Sequence, residues 1–174
     1  MAIDLWTIAV RLDCDPVRAA RRDAEAWEAV SLDPPFTRTL VCPDRSYEQM
    51  EYLLDPAAYR GLTSWEQRER SMPYRIVQGD CVFADHARGS QGILWRCSTS
   101  AFLETAASTI ETLPVAAVRV EFSVAEMVSL ALYKVPRDEN DDTAFERVLG
   151  NLRDLAQHYR RLVDKQLDVI FERD

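Results

Sequence analysis

The sequence is short of lysine, histidine, glycine and long apolar runs, and each shortage removes a class of function. Only Lys134 and Lys165 are lysine, and the net charge is -8. A balance that acidic disfavours nucleic acid and anionic membrane surfaces, both of which reward clustered positive charge. There are two histidines, His86 and His158, and the cysteines Cys14, Cys42, Cys81 and Cys97 form no CxxC pair. Structural zinc is therefore disfavoured, and no metal and no cofactor are expected. Gly89-Ser90-Gln91-Gly92 lacks the lysine of a P-loop, and no GxGxxG follows a strand. A GxSxG elbow, an HExxH helix and the kinase signatures are missing as well. No apolar run approaches the ~20 residues of a membrane span. The start has no basic leader and Asp4 interrupts it, so a cytoplasmic protein with reduced thiols is expected.

What remains is an ordinary globular pattern. From Thr143 to about Lys165 the apolar residues Phe145, Val148, Leu149, Leu152, Leu155, Tyr159, Leu162 and Val163 follow helical spacing. Leu167, Val169 and Phe171 then alternate as a strand. A helix returning into a strand needs a sheet to join. The expected fold is α+β, a single domain over 1–174, with a small mixed sheet holding the N- and C-terminal strands. Several helices pack on it, the long C-terminal one among them.

Ile3 to Leu12 reads as the first strand. Asp15-Pro16 starts a helix expected to reach Val30. Phe36 to Val41 is extended, Pro43-Asp44 opens a helix, and Asp55-Pro56 breaks it. Thr63 or Ser64 caps the charged helix Trp65 to Arg70. Tyr74 to Val77 leads to a turn at Gly79-Asp80, and Ile93 to Trp95 is a short strand or buried turn. Ser98 starts a helix, and residues 115–122 fit strand or helix equally. Ser123 to Glu126 and Thr143 to Glu146 match capping boxes. Gly150 inside the last helix suggests close packing.

This order of elements resembles the YfbM-like family of bacterial proteins of unknown function. The resemblance runs through the first strand and through Asp44-Arg-Ser-Tyr-Glu-Gln-Met-Glu-Tyr-Leu-Leu54. It continues in Tyr74-Arg-Ile-Val-Gln-Gly79, in Gly92 to the Ser98 helix, and in the closing Tyr159-to-Phe171 unit. It implies an α+β fold in a cytosolic bacterial protein and transfers no activity.

The densest chemistry lies between Gly79 and Gly92, where Asp80, Cys81, Asp85, His86 and Arg88 fall close together. His86 is the candidate base, oriented by Asp85 or Asp80, and Cys81 a nucleophile if His86 lowers its pKa. The plainer alternative is a polar surface loop with a buried, inert Cys81. Trp65, Tyr74, Arg88, Trp95 and Arg96 are candidate binding residues, because aromatics and arginine are enriched at binding hot spots. Glu48, Glu51 and Asp55 form an acidic strip expected to be a solvated helix face. His158 is placed beside the buried stripe, within reach of Asp154.

Two functions follow as expectations. One is an interaction module of immunity or adaptor type, using its acidic surface on a basic protein partner, with no nucleic acid and no membrane. The other is a small-molecule hydrolase or transferase with its site in the 79–92 loop. A homodimer is compatible with either.

Overall fold

The computed structural model describes residues 4–22, 38–42, 44–83 and 94–173. Among these, five strands form one sheet: β1 (Leu5–Val10), β2 (Arg38–Leu40), β3 (Cys81–Val82), β4 (Leu94–Ser98) and β5 (Asp168–Arg173). Their spatial order is β2-β1-β5-β4-β3. Every described pairing is antiparallel, so the sheet is not the mixed one expected. The terminal strand β5 lies at the centre, with Thr7 opposite Phe171 and Cys97 opposite Ile170.

Nine helices are described. They are α1 (Asp15–Ala20), α2 (Tyr47–Leu54), α3 (Pro56–Arg60), α4 (Trp65–Arg70) and α5 (Met72–Gln78), followed by α6 (Ser100–Glu111), α7 (Val115–Glu121), α8 (Val124–Ser129) and α9 (Asp141–Asp164). Strand side chains alternate between the two sheet faces. Leu5, Val169 and Phe171 enter the main core beneath α9 and α6, while Ile8, Val10, Cys97 and Ile170 enter a second cluster with Val17 and Ala20 of α1.

Helix α9 buries Phe145, Val148, Leu149, Leu152, Leu155, Tyr159 and Leu162, the expected stripe. Tyr159 Oη donates to Ile76 O at 2.6 Å, which fastens α9 to α5. Asp168 opens β5 and accepts from the backbone N–H of Leu12 and of Ser100, at 2.9 and 2.8 Å. One carboxylate thus ties the end of β1 to the start of α6.

Several boundaries depart from the sequence reading for local reasons. Asn140, not Thr143, caps α9 through the Thr143 N–H. Thr99 caps α6, because Ser98 belongs to β4. Helix α2 opens after Ser46 rather than at Pro43-Asp44. Asp55 does end α2, but it also caps α3 by accepting from Ala58 N. Tyr74 to Val77 is helical, since Ser71 caps that segment and Pro73 fits its first turn. Residues 115–121 are helix. Nothing lies within 4 Å of a Cβ built on Gly150, so the expected close packing is absent. The first helix is described only to Ala20, and its expected continuation to Val30 lies outside the described residues. No helix among the described residues is long and apolar enough to cross a membrane.

His158 does not reach for Asp154. Its Nε2 lies 3.0 Å from Thr7 Oγ1, against the sheet. Burial, and then the charge of Arg161, pushes its pKa down to about 4. The unfolded chain titrates this group near its ordinary value of about 6.5. Between those values the unfolded state binds more protons, so the fold loses stability as pH falls through that window. Relative to wild type, His158→Gln is expected to remove about 2 kcal/mol of the stability difference between about pH 7 and about pH 5. Urea unfolding of both proteins at the two pH values checks it.

Candidate functional site

The site is built at the sheet edge, where α5 runs into β3. Gly79 ends α5 with a φ of 106°, a conformation that favours glycine. A Cβ there would stand 2.8 Å from both Arg96 Cβ and Phe171 Cδ2. The absence of a side chain lets the turn press against the sheet. Arg96 then closes it, donating from Nε to Gly79 O at 2.9 Å and from Nη2 to Asp80 O at 3.2 Å. Asp80 N donates to Ser98 Oγ at 2.9 Å. These bonds set the register in which Cys81 faces Cys97.

The two thiols are 3.4 Å apart, Sγ to Sγ. Their surroundings differ: Cys81 is exposed and Cys97 is buried. A hydrogen bond from the Cys97 thiol is the main reason the Cys81 pKa drops to about 6, helped by the charges of Arg21 and Arg96 and opposed by burial and Asp80. Cys97 moves the other way, because it donates that bond and is buried. The pair therefore shares one proton, kept on the inner sulfur. A thiolate is the nucleophilic form of cysteine, and Cys81 carries it on the solvent side.

Cys81 is one of the residues lining a cleft of about 610 Å³, with Glu69, Arg70, Arg75, Asp80 and Arg96. Two of its three arginines are already engaged. Arg75 donates to Asp80, from Nε at 2.8 Å and also from Nη2. Arg96 is spent on the Gly79 turn, with Glu69 at 3.7 Å. Arg70 is exposed. Of the residues expected in this region, Asp80 and Cys81 are together in the cleft, and Arg96 joins them. Asp85, His86 and Arg88 lie outside the described residues. Cys81 is exposed, not the buried thiol of the plainer alternative. The group that acidifies it is Cys97, which its distance in sequence had concealed.

The other candidate residues divide between the two faces of β4. Trp95 points into the second core cluster under α1 and is 1% exposed. On the opposite side, Tyr74 is fully buried beneath the Arg96 guanidinium, 5.0 Å from its ring centroid. Trp65, which is 44% exposed, packs edge-on against Tyr74 at 5.6 Å. Trp65 and Tyr74 therefore meet, and Trp95 does not join them. Arg68 lies against both rings, 5.2 and 5.8 Å from the Trp65 and Tyr74 centroids.

Arg68 also corrects the acidic strip. Its Nε and Nη2 donate to Glu51 at 2.8 and 3.2 Å, and Nη1 donates to Glu48 at 2.9 Å. Glu51 is fully buried rather than solvated. Burial pushes its carboxyl up, against the pull of Arg68 and the bond from Gln78. These residues form a structural knot and are not among those that line the cleft with Cys81. Among the described residues, no group of three or more His, Cys, Asp and Glu side chains is arranged to hold a metal ion.

Comparison with known proteins adds fold and family. A family model described as a domain of unknown function (DUF1877) matches residues 11–172. No curated protein matches the chain. Among solved structures it is similar to YfbM from Escherichia coli, described as a protein of unknown function, with a TM-score of 0.74 and 12% identity over 98% of this chain and 99% of that one. At that identity the likeness concerns the fold alone.

Removing one partner of a buried ion pair leaves the other charge uncompensated. Arg68→Ala is thus expected to destabilise the protein by about 3 kcal/mol. Glu51→Gln costs less, because Glu48 still faces Arg68. Denaturant unfolding of the two variants checks the order.

Proposed function

The chain belongs to the DUF1877 family of unknown function, and we propose that it is a thiol-dependent transferase or hydrolase of small anionic electrophiles. Cys81 is its nucleophile. The observation that supports this most is exposed Cys81, its sulfur 3.4 Å from that of Cys97, among the residues lining an arginine-rich cleft. With Arg75 held by Asp80 and Arg96 by the Gly79 turn, Arg70 is the arginine suited to a substrate's anionic group.

In acyl transfer, the Cys81 thiolate forms a bond to the electrophilic carbon. The leaving group departs with its electron pair and takes a proton from water. A second nucleophile, or water, then attacks the same carbon and gives its proton to solvent. The carbon–sulfur bond breaks and Cys81 returns as thiolate.

Alkylation tests this reading. Labelling of Cys81 by iodoacetamide, followed by mass spectrometry, is expected to be half-maximal near pH 6, where its pKa lies at about 6. A midpoint in the ordinary thiol range, about 8.5, would overturn the assignment. Arg70→Ala is expected to lower the preference for the anionic reagent iodoacetate over neutral iodoacetamide by about threefold.

A second reading, an interaction module for a basic partner, is supported by the way surface arginines are shared. Arg60 serves Glu121 and Glu126, Arg147 serves Asp44 and Glu139, and Arg160 serves Glu104 and Glu111. Each trio keeps one net negative charge. Capture from cell extract at low and high salt would return a specific basic protein lost on screening. Binding that ignores salt counts against it.

A further inference from the structure

We propose that Cys81 and Cys97 form a reversible cross-strand disulfide when the protein meets hydrogen peroxide or an alkyl hydroperoxide. Cys81 is the residue attacked and Cys97 the one that resolves it. The proposal rests on the reading of Cys81 as the reactive thiol of the cleft and adds a modification that the acyl chemistry does not need.

The geometry is already close. Cys81 and Cys97 are direct partners on adjacent antiparallel strands, with sulfurs 3.4 Å apart. Opposed residues in such a pair have Cα atoms about 4.5 to 5.5 Å apart, within the span a disulfide bridges. The sulfurs need approach by only about 1.4 Å to reach bonding distance, so side-chain rotation accounts for most of the movement. Strand β3 has two residues and, among the described residues, lies at the sheet edge next to β4 alone, which leaves it room to adjust. The exposures also assign the order of events. Cys81 is exposed and meets the oxidant, whereas Cys97 is 1% exposed and has its sulfur against that of Cys81.

The steps balance. The Cys81 thiolate attacks one peroxide oxygen, the O–O bond breaks, and the departing hydroxide takes a proton from solvent. Cys81 is then a sulfenic acid. The Cys97 sulfur attacks the Cys81 sulfur, the S–O bond breaks, and hydroxide leaves with the Cys97 proton as water. Two thiols have lost two electrons, and the peroxide has become two waters, or one water and an alcohol. A dithiol reductant reverses the change by exchange. In the oxidised form the cleft has lost its nucleophile, so peroxide would switch off the chemistry proposed above.

The experiment uses the reduced protein, treated with a few equivalents of hydrogen peroxide and then blocked with N-ethylmaleimide. Intact mass and a non-reducing tryptic digest are read. The expected result is a loss of two hydrogens and a linked peptide joining Cys81 to Cys97, which dithiothreitol removes. Cys81→Ser, a change at an exposed position, abolishes the linkage. Cys97→Ser instead accumulates a Cys81 sulfenic acid that dimedone traps. Persistent sulfenic or sulfinic acid on Cys81 in the wild type, without the linked peptide, would overturn the proposal. If Cys81 nevertheless alkylates near pH 6, only the disulfide has failed. If it does not, the reading of Cys81 as the reactive thiol has failed as well.

Discussion

The buried ion pair between Glu51 and Arg68 is the constraint on which the placement of this site depends. A carboxylate removed from water is costly, and Glu51 is held by two bonds from one guanidinium and one from the Gln78 amide. The same guanidinium reaches Glu48 and lies against the rings of Tyr59, Trp65 and Tyr74. Helices α2, α4 and α5 are thereby referred to one point. Gln78 is the last residue of α5 and Gly79 follows it, so the direction in which the chain enters β3 is set within one residue of the pair. Arg96 receives the turn from the other side, and Cys81 comes to rest against Cys97.

Two chemically identical thiols acquire different roles from this placement. The charged form of a thiol is better tolerated near water, so the negative charge sits on Cys81 and the proton on Cys97. Pairs of titratable groups pushed apart by their surroundings are common where a protein does chemistry. Here the separation follows from strand position. Cys81 belongs to a two-residue edge strand, and Cys97 to an interior strand whose side chains alternate between a core cluster and α5. The arginines nearby raise the local potential, though Arg75 and Arg96 are already held by the scaffold.

Charge shows the same division between composition and place. A net charge of -8 is written in the sequence, but composition does not say which carboxylates face water. Glu48 and Glu51, at helical spacing with Asp55, look like a solvated face. The partner that draws them inward, Arg68, lies on a helix separated from α2 by another helix and a turn. Local periodicity carries no information about such a partner. His158 shows the same limit: Asp154 is near it in sequence, while the fold sets it against Thr7, 151 positions away.

The sequence by itself determined the α+β class, the buried stripe of α9, the strand at each end and the capped helix starts at Ser64 and Ser123. These depend on short-range physics: 3.6-residue and two-residue periodicities, and side-chain oxygens that satisfy N–H groups three residues ahead. It also singled out Asp80, Cys81 and Arg96. Tertiary structure alone decided the antiparallel order with β5 at the centre, because pairing between distant strands depends on how the whole chain is packed. It decided too that Trp95 and Tyr74 lie on opposite sides of the sheet, that Glu51 is buried, and that Cys81 meets Cys97. A hydrogen bond between two sulfurs 16 residues apart exists only once the Gly79 turn has brought their strands together.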